Sequence, residues 1–315
     1  MLSDRPALRI GSRTSPMAMS MARTVADQVA KFADVAVEHV GIRTTGDQWM
    51  GDLSKLGGKG AFLKQIERAL LMGEIDVAIH AMKDVPGDVP MPEGTAFAAY
   101  TARTDVRDVL VARKGSPYAS LDEMPPGTRI GTSSVRRKAQ LLKHRPDLHV
   151  DRIRGNADAR IARLDEKGEF EALVLNRSGL DHVGLAHRAS EVLPTEVMCP
   201  PVGAGVVGVQ CRTADTAICE LLRMVDDPVT RTHVSAERTM LHMLQGHCNS
   251  PIAGHAHTTP DGQLSLLGMV FTREGGRFAY SQEWDSCERP GELGAYVAAD
   301  LLRKGARGII DGIPH

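Results

Sequence analysis

The sequence predicts an α/β protein of two related lobes followed by a small α+β domain, and three observations carry this. First, short apolar runs alternate with helix-length stretches from residue 7 to residue 175, the pattern of a mostly parallel sheet. Second, Leu8-Arg9-Ile10-Gly11-Ser12-Arg13-Thr14-Ser15 recurs in shape as Thr128-Arg129-Ile130-Gly131-Thr132-Ser133-Ser134-Val135-Arg136-Arg137. Each copy is a strand, an R-I-G-[ST] step, a hydroxyl-rich turn and a helix, so two lobes facing across a cleft are expected. Third, a different pattern starts near Val229: one helix, then strand-like alternation over 252–284, then a closing helix. A chain of 315 residues suits two or three domains.

The elements follow in order. Residues 7–11 read as the first strand. A helix then runs to about Phe32, with Ser15 as its N-cap and Pro16 at the first helical position, where a missing N–H costs nothing. Val35–Ile42 is the second strand. Thr44–Gly60 is polar and glycine-rich and reads as a mobile loop carrying Lys55 and Lys59. A helix from about Phe62 to Met72 leads into an apolar strand that stops at Lys83-Asp84, where Pro86 forbids continuation. In the second lobe the helix after Ser134 runs to about His144 and Pro146 closes it. Strands at 149–153 and 172–175 flank a helix capped by Asn156 and running through Leu164. In the third pattern, 229–245 fit a helix that buries Val234, Met240, Leu241 and Leu244, and a final helix spans about Glu292 to Lys304.

Bulk composition narrows the function classes. Apolar content of 42% is that of a globular protein, and no apolar run is long enough to span a bilayer. Residues 1–6 lack a basic start and an apolar core, so no secretory signal is expected. Five cysteines, odd in number and without C-x-x-C spacing, argue for free thiols in a reducing cytoplasm. A net charge of −1 from 38 basic and 39 acidic residues, with 4% aromatics, argues against nucleic-acid binding.

The chemistry concentrates at strand ends. Ligands of open α/β sheets bind at the carboxyl ends of strands, so Lys83-Asp84 is either a solvated turn or a carboxylate acid/base beside a charged partner. Both hydroxyl-rich turns precede helices whose free N–H groups attract anions. Arg13 stands in the first turn, Arg136 and Arg137 in the second, and Arg154 and Arg160 after the next strand. Singly, each reads equally as a solvated surface arginine. Together, five guanidiniums near one cleft suit a ligand with several carboxylates or phosphates. Gly57-Gly58-Lys59-Gly60 lacks P-loop spacing, and no G-x-G-x-x-G follows the first strand. His233, His242, His247, Cys248, His255 and His257 fit no standard zinc spacing, so no metal is expected. Cys248 lies in a loop before Pro251 and need not serve packing, whereas Cys199 and Cys211 suit buried inert thiols.

Taken in order along the whole chain, these segments resemble the porphobilinogen deaminase (hydroxymethylbilane synthase) family. The resemblance is carried by the first repeat through Pro16, Gly57-Gly58-Lys59-Gly60-Ala61-Phe62, His80-Ala81-Met82-Lys83-Asp84-Val85-Pro86 and the second repeat. It continues through Arg154-Gly155-Asn156, Val202-Gly203-Ala204-Gly205, Ala236-Glu237-Arg238 and Gly246-His247-Cys248. It implies two periplasmic-binding-protein-like lobes and a third domain, here 1–104 plus 206–225, 105–205 and 226–315. It implies a dipyrromethane cofactor joined by a thioether to Cys248, onto which four porphobilinogen units are added with loss of ammonia before hydrolysis releases hydroxymethylbilane. By the same resemblance Lys83, Thr132, Ser134, Arg136, Arg137 and Arg160 hold cofactor carboxylates. Arg13, Ser15 and Arg154 hold the incoming unit, Lys55 and Lys59 belong to the loop over the cleft, and Asp84 is catalytic. A cytoplasmic monomer is expected.

Five positions depart from the family pattern. Ala204 replaces a glutamine of the G-Q-G segment, His182 an arginine, Met21 a glutamine, Ala81 a serine and Thr45 an arginine. A divergent relative making a shorter oligopyrrole, or working slowly, is therefore the alternative reading. A non-catalytic two-lobed solute-binding protein is the reading from another class, but it leaves Cys248 and Asp84 without a role.

Overall fold

The computed structural model describes residues 6–48, 60, 62–246 and 250–312. Three sheets organise it. The first lobe contains β1 (Leu8–Arg13), α1 (Pro16–Val29), β2 (Val37–Ile42), α2 (Thr45–Gln48), α3 (Lys64–Leu71), β3 (Val77–Ala81) and β4 (Thr95–Tyr100). The second contains β5 (Asp108–Ala112), β6 (Arg129–Thr132), α4 (Val135–His144), β7 (His149–Arg152), α5 (Ala157–Lys167), β8 (Ala172–Asn176), α6 (Arg177–His182) and β9 (Glu191–Val192). The chain then returns to the first lobe as β10 (Val207–Arg212) and α7 (Thr216–Arg223). The C-terminal unit is α8 (Pro228–Met243), β11 (Ile252–Thr258), β12 (Leu264–Phe271), β13 (Phe278–Asp285), α9 (Pro290–Arg303) and α10 (Ala306–Asp311).

The two lobes are copies of one topology. Their strand orders are β2-β1-β3-β10-β4 and β7-β6-β8-β5-β9. In the first, β1 pairs in parallel with β2 and β3, and β10 pairs antiparallel with β3 and β4. In the second, β6 pairs in parallel with β7 and β8, and β5 pairs antiparallel with β8 and β9. In each sheet four strands therefore run one way and one, β10 or β5, runs against them, so the sheets are mixed and mostly parallel as expected. The reason is connectivity: in each lobe the antiparallel strand in fourth place, β10 or β5, arrives by crossing from the other lobe.

The repeated R-I-G step is explained by packing. Ile10 and Ile130 are fully buried in their lobes. The glycine after each lies under close neighbours: a Cβ would meet Ile75 at 2.4 Å at Gly11, and Leu173 at 2.6 Å at Gly131. The arginine before each bonds a nearby aspartate. Arg9 donates to Asp76 at 2.8 and 3.0 Å, and Arg129 to Asp151 at 2.9 Å.

Observed ends differ modestly from the expected ones. β1 runs on through Arg13 because Ser12 and Arg13 still pair with Gly41 and Ile42 of β2. α1 stops at Val29, before Phe32, and α5 extends to Lys167, where Gly168 ends it at φ 61°. Ser15 caps α1, its Oγ accepting the Ala18 N–H at 3.4 Å, with Pro16 in the first turn. Asn156 occupies the N-cap position of α5 without a side-chain capping bond. In α8, Val234, Met240 and Leu244 are buried as expected, while Leu241 is only partly buried and packs at the edge of that core.

Glu237 of α8 joins the C-terminal unit to the interlobe connection. It is fully buried and takes both ends of the Arg103 guanidinium at 2.9 Å. It also accepts the Gly203 N–H at 2.7 Å and the Ala256 N–H of β11 at 2.8 Å. One carboxylate therefore satisfies donors from both connecting segments and from the third sheet, as a buried charge requires.

Candidate active site

β3 ends at Ala81, and Met82–Asp84 form a single 3₁₀ turn closed by the Val85 N–H donating to the Met82 carbonyl at 3.2 Å. The strand expected to stop at Lys83-Asp84 stops at Ala81, and the pair lies on the turn that follows. In a strand these neighbours would point to opposite faces; on the turn both line the same cleft. Arg238 of α8 supports the turn from behind, donating to the Val85 and Pro86 carbonyls at 3.2 Å. His80, one residue before the strand end, is buried and bonds Gln210 at 2.9 Å. Burial depresses its pKa to about 4, so it is a neutral core group.

The cleft has a volume of about 350 Å³ and all three units contribute to it. Arg13, Ser15, Lys83 and Asp84 line it from the first lobe, and Ser134, Arg136, Arg137 and Arg160 from the second. Ser250 and Ile252 reach it from the C-terminal unit, close in sequence to Cys248. Of the expected residues, Thr132 and Arg154 stand outside this lining. Thr132 is buried at the end of β6, its Oγ1 accepting the Ser134 N–H at 3.3 Å. Cys248, Lys55 and Lys59 lie outside the described residues.

Arg13 is the cation facing Asp84, with Nη1 at 3.6 Å from Oδ2. Its other donors are held by Asp47: Nε lies 3.0 Å from Oδ1, and Nη2 bonds the same oxygen. Its Cζ stacks 4.2 Å from the centroid of the Phe62 ring. Burial is the largest influence on Arg13 and opposes its charge, but Asp47 and Asp84 outweigh it and raise the pKa. Asp47 is fixed by reciprocal bonds with Thr44, whose Oγ1 donates at 2.7 Å while the two backbone N–H groups are exchanged at 3.3 Å. The signal for Asp47 in the sequence is the capping-box spacing of Thr44-Thr45-Gly46-Asp47.

Arg136 and Arg137 are not free cations. Both converge on Asp108, which is buried at the start of β5. Arg136 Nη2 donates to Oδ2 at 2.6 Å, and Arg137 donates Nε to Oδ2 at 3.0 Å and Nη2 to Oδ1 at 2.8 Å. Burial alone would raise the Asp108 pKa, but the two guanidiniums bring it down to about 2. Two positive charges sharing one carboxylate leave one net positive charge at this wall. No motif pointed to Asp108; the only trace is an acid opening an apolar strand.

Arg160 is less compensated. Burial is the main influence, reinforced by Arg137 and Arg154, and it lowers the pKa to about 10. Nη1 donates to Ser133 Oγ at 3.3 Å, while Nε is buried without a hydrogen-bond partner. Lys83 is half-buried, and desolvation lowers its pKa, with Asp84 partly opposing and Arg137 adding to the effect. These groups fit a ligand with several carboxylates: anions here would oppose the desolvation of Lys83 and pair the buried edge of Arg160.

Three of the departures from the family pattern come together elsewhere. Met21, Ala81 and His182 line a second cavity of about 140 Å³, which also touches Lys83, Gly203 and Gly205. Cys199 and Cys211 are fully buried, and burial pushes both thiols up to about 12. His233 bonds Thr258 and His242 bonds the Gly87 carbonyl, so these histidines serve the packing of α8. Among the described residues no helix is long and apolar enough to cross a membrane.

A two-lobed α/β scaffold with a guanidinium-lined cleft, a carboxylate at a strand end and a third unit reaching in defines an enzyme for a polycarboxylate ligand. Residues 8–220 match the family model described as porphobilinogen deaminase, dipyromethane cofactor binding domain, and residues 231–303 match the porphobilinogen deaminase C-terminal domain. The chain belongs to the porphobilinogen deaminase family, and so is a transferase of tetrapyrrole biosynthesis with a dipyrromethane cofactor. It is 52% identical to porphobilinogen deaminase 2 of Streptomyces coelicolor over 100% of this chain and 99% of that one. It is 40% identical to porphobilinogen deaminase of Pelobacter propionicus over 97% of each. Among solved structures it is similar to the methionine-binding protein MetQ, with a TM-score of 0.44 and 13% identity over 70% of this chain and 89% of that one.

Proposed function

We propose that Asp84 is the catalytic carboxylate for head-to-tail addition of porphobilinogen onto the dipyrromethane, and that Cys248 is the point of covalent attachment. The observation that carries this reading is Asp84 itself, on a turn at the cleft and 3.6 Å from the Arg13 guanidinium. When bound, the cofactor would supply the free pyrrole α-carbon to which the first unit is added, each added unit then offering its own to the next. Loss of ammonia from a porphobilinogen aminomethyl group leaves a cation whose charge reaches the pyrrole nitrogen. A fixed carboxylate near that N–H stabilises the charge and moves protons between the leaving amine and the new bond.

The remaining roles follow charge. Lys83, Ser134, Arg136, Arg137 and Arg160 hold cofactor carboxylates, with Thr132 supporting Ser134. Arg13, Ser15 and Arg154 receive the carboxylates of the incoming unit, Arg154 also adding positive charge felt by Arg160. Lys55 and Lys59, outside the described residues, keep the part that the family resemblance implies for them. The chain divides into 1–104 plus 206–225, 105–205 and 226–315, and acts as a cytoplasmic monomer without nucleic-acid partners. Hydroxymethylbilane is the product this reading assigns.

Intact-protein mass spectrometry tests the reading. The purified active chain is expected to carry the mass of a covalent dipyrromethane, and Cys248→Ser to lack it. Active enzyme at the bare chain mass would overturn the attachment role. Chromatography of the product from porphobilinogen then separates the tetrapyrrole from shorter chains.

A further inference from the structure

The two lobes are joined by a side-chain bond between helices. Ser20 Oγ of α1 lies 3.1 Å from His182 Nδ1 of α6. Both side chains are partly buried, and His182 lies on the wall of the 140 Å³ cavity that Lys83 also lines. That cavity reaches Gly203 and Gly205, where the chain crosses between lobes at φ 73° and 70°. The crossing is packed tightly: a Cβ on Gly203 would meet Met82 atoms at 2.7 Å, and one on Gly205 the Thr104 carbonyl oxygen at 2.6 Å. The connection is thus pinned at its root while empty space lies beside it. The Ser20–His182 bond ties one lobe to the other beside that space.

We propose that Ser20 and His182 form a positioning pair that holds the cleft narrow for the early additions and yields as the chain lengthens. The inference rests on the porphobilinogen-adding reading above. In each addition the aminomethyl C–N bond of the new unit breaks and a C–C bond to the terminal α-carbon forms. Ammonia leaves, and the hydrogen displaced from that α-carbon departs as a proton. Every step therefore adds a whole pyrrole to the same cleft of about 350 Å³. Filling that space works against whatever holds the lobes together. A closed latch favours capture of the first unit and opposes the last ones.

The test is rapid-quench intact mass spectrometry of the full-length holoenzyme mixed with porphobilinogen, which resolves covalent adducts of successive length. In Ser20→Ala and in His182→Ala, the rate of the last addition relative to the first is expected to rise about three- to tenfold, the factor one net hydrogen bond commands. KM for the first unit is expected to rise with it. The double variant should show no further change, because either substitution alone removes the bond. His182→Asn, whose amide occupies the place of Nδ1, should restore the wild-type adduct pattern. A merely structural pair would lower the melting temperature and leave the ratio of late to early rates unchanged. That result, or additive effects in the double variant, overturns the proposal. Absence of any adduct ladder in the wild-type holoenzyme would instead overturn the reading on which it rests.

Discussion

Arg13 Nη1 lies 3.6 Å from Asp84 Oδ2, and Asp47 on its other edge keeps Arg13 from closing fully on that carboxylate. Asp84 is thereby left with a cation at its side and an open face toward the cleft, where its side chain is 32% exposed. A carboxylate in this setting stays available to a ligand. Asp84→Asn is expected to keep the fold and to lower the rate of ammonia release by about 10²-fold or more, the scale of a positioned acid/base group. Circular dichroism checks the first statement and an ammonia-coupled assay the second; near-normal turnover would remove Asp84 from the chemistry.

Arg13→Lys tests the clamp itself. An ammonium keeps the charge but cannot span Asp47 and Asp84 together, nor stack on Phe62 as a guanidinium does. KM for porphobilinogen is expected to rise about tenfold or more, with a smaller fall in kcat, measured by steady-state kinetics. An unchanged KM would show that Arg13 does not meet the substrate.

Asp108 links stability to acid. Its pKa in the fold, about 2, is below that of an unfolded aspartate near 3.9, so its contribution is present above about pH 4 and lost as the pH falls toward 2. The contribution is on the order of 2–3 kcal/mol by that linkage. Asp108→Asn leaves two buried guanidiniums with no anion and is expected to cost about 3–5 kcal/mol at pH 7. The gap between wild type and variant, followed by urea unfolding, should narrow below pH 4.

Glu237→Gln removes the charge that Arg103, Gly203 and Ala256 share. The amide nitrogen must then face a donor, so a loss of about 3–5 kcal/mol is expected. Hydrogen exchange should speed at the Gly203 and Ala256 amides more than in the core of β6. A uniform change would argue against Glu237 as the joint.

Gly205→Ala adds a side chain at φ 70° with its Cβ 2.6 Å from the Thr104 carbonyl oxygen. The strain is expected to cost about 1–3 kcal/mol. Gly73→Ala, also at positive φ but with open space around its Cβ, is the control. Melting temperatures of the two variants should separate, Gly205→Ala falling further.

Local chemistry made much of this protein legible from its sequence. The doubled R-I-G step announced two related lobes because a buried strand entering a turn and helix leaves a short-range signature. Ser15 was readable as a cap because capping acts within four residues. Lys83, Asp84, Arg13, Arg136, Arg137 and Arg160 were readable as cleft residues because strand ends and helix starts form the ligand face of such sheets. What only the tertiary structure decided is how those charges are spent. Asp108 lies far along the chain from Arg136 and Arg137 yet takes one of their two charges. Asp47 holds Arg13 off Asp84, Glu237 ties the third unit to the interlobe crossing, and Ser20 meets His182 across the lobes. Pairings of this kind depend on distances set by the packed fold, and a buried charge imposes its partner through space and not through any spacing in the chain.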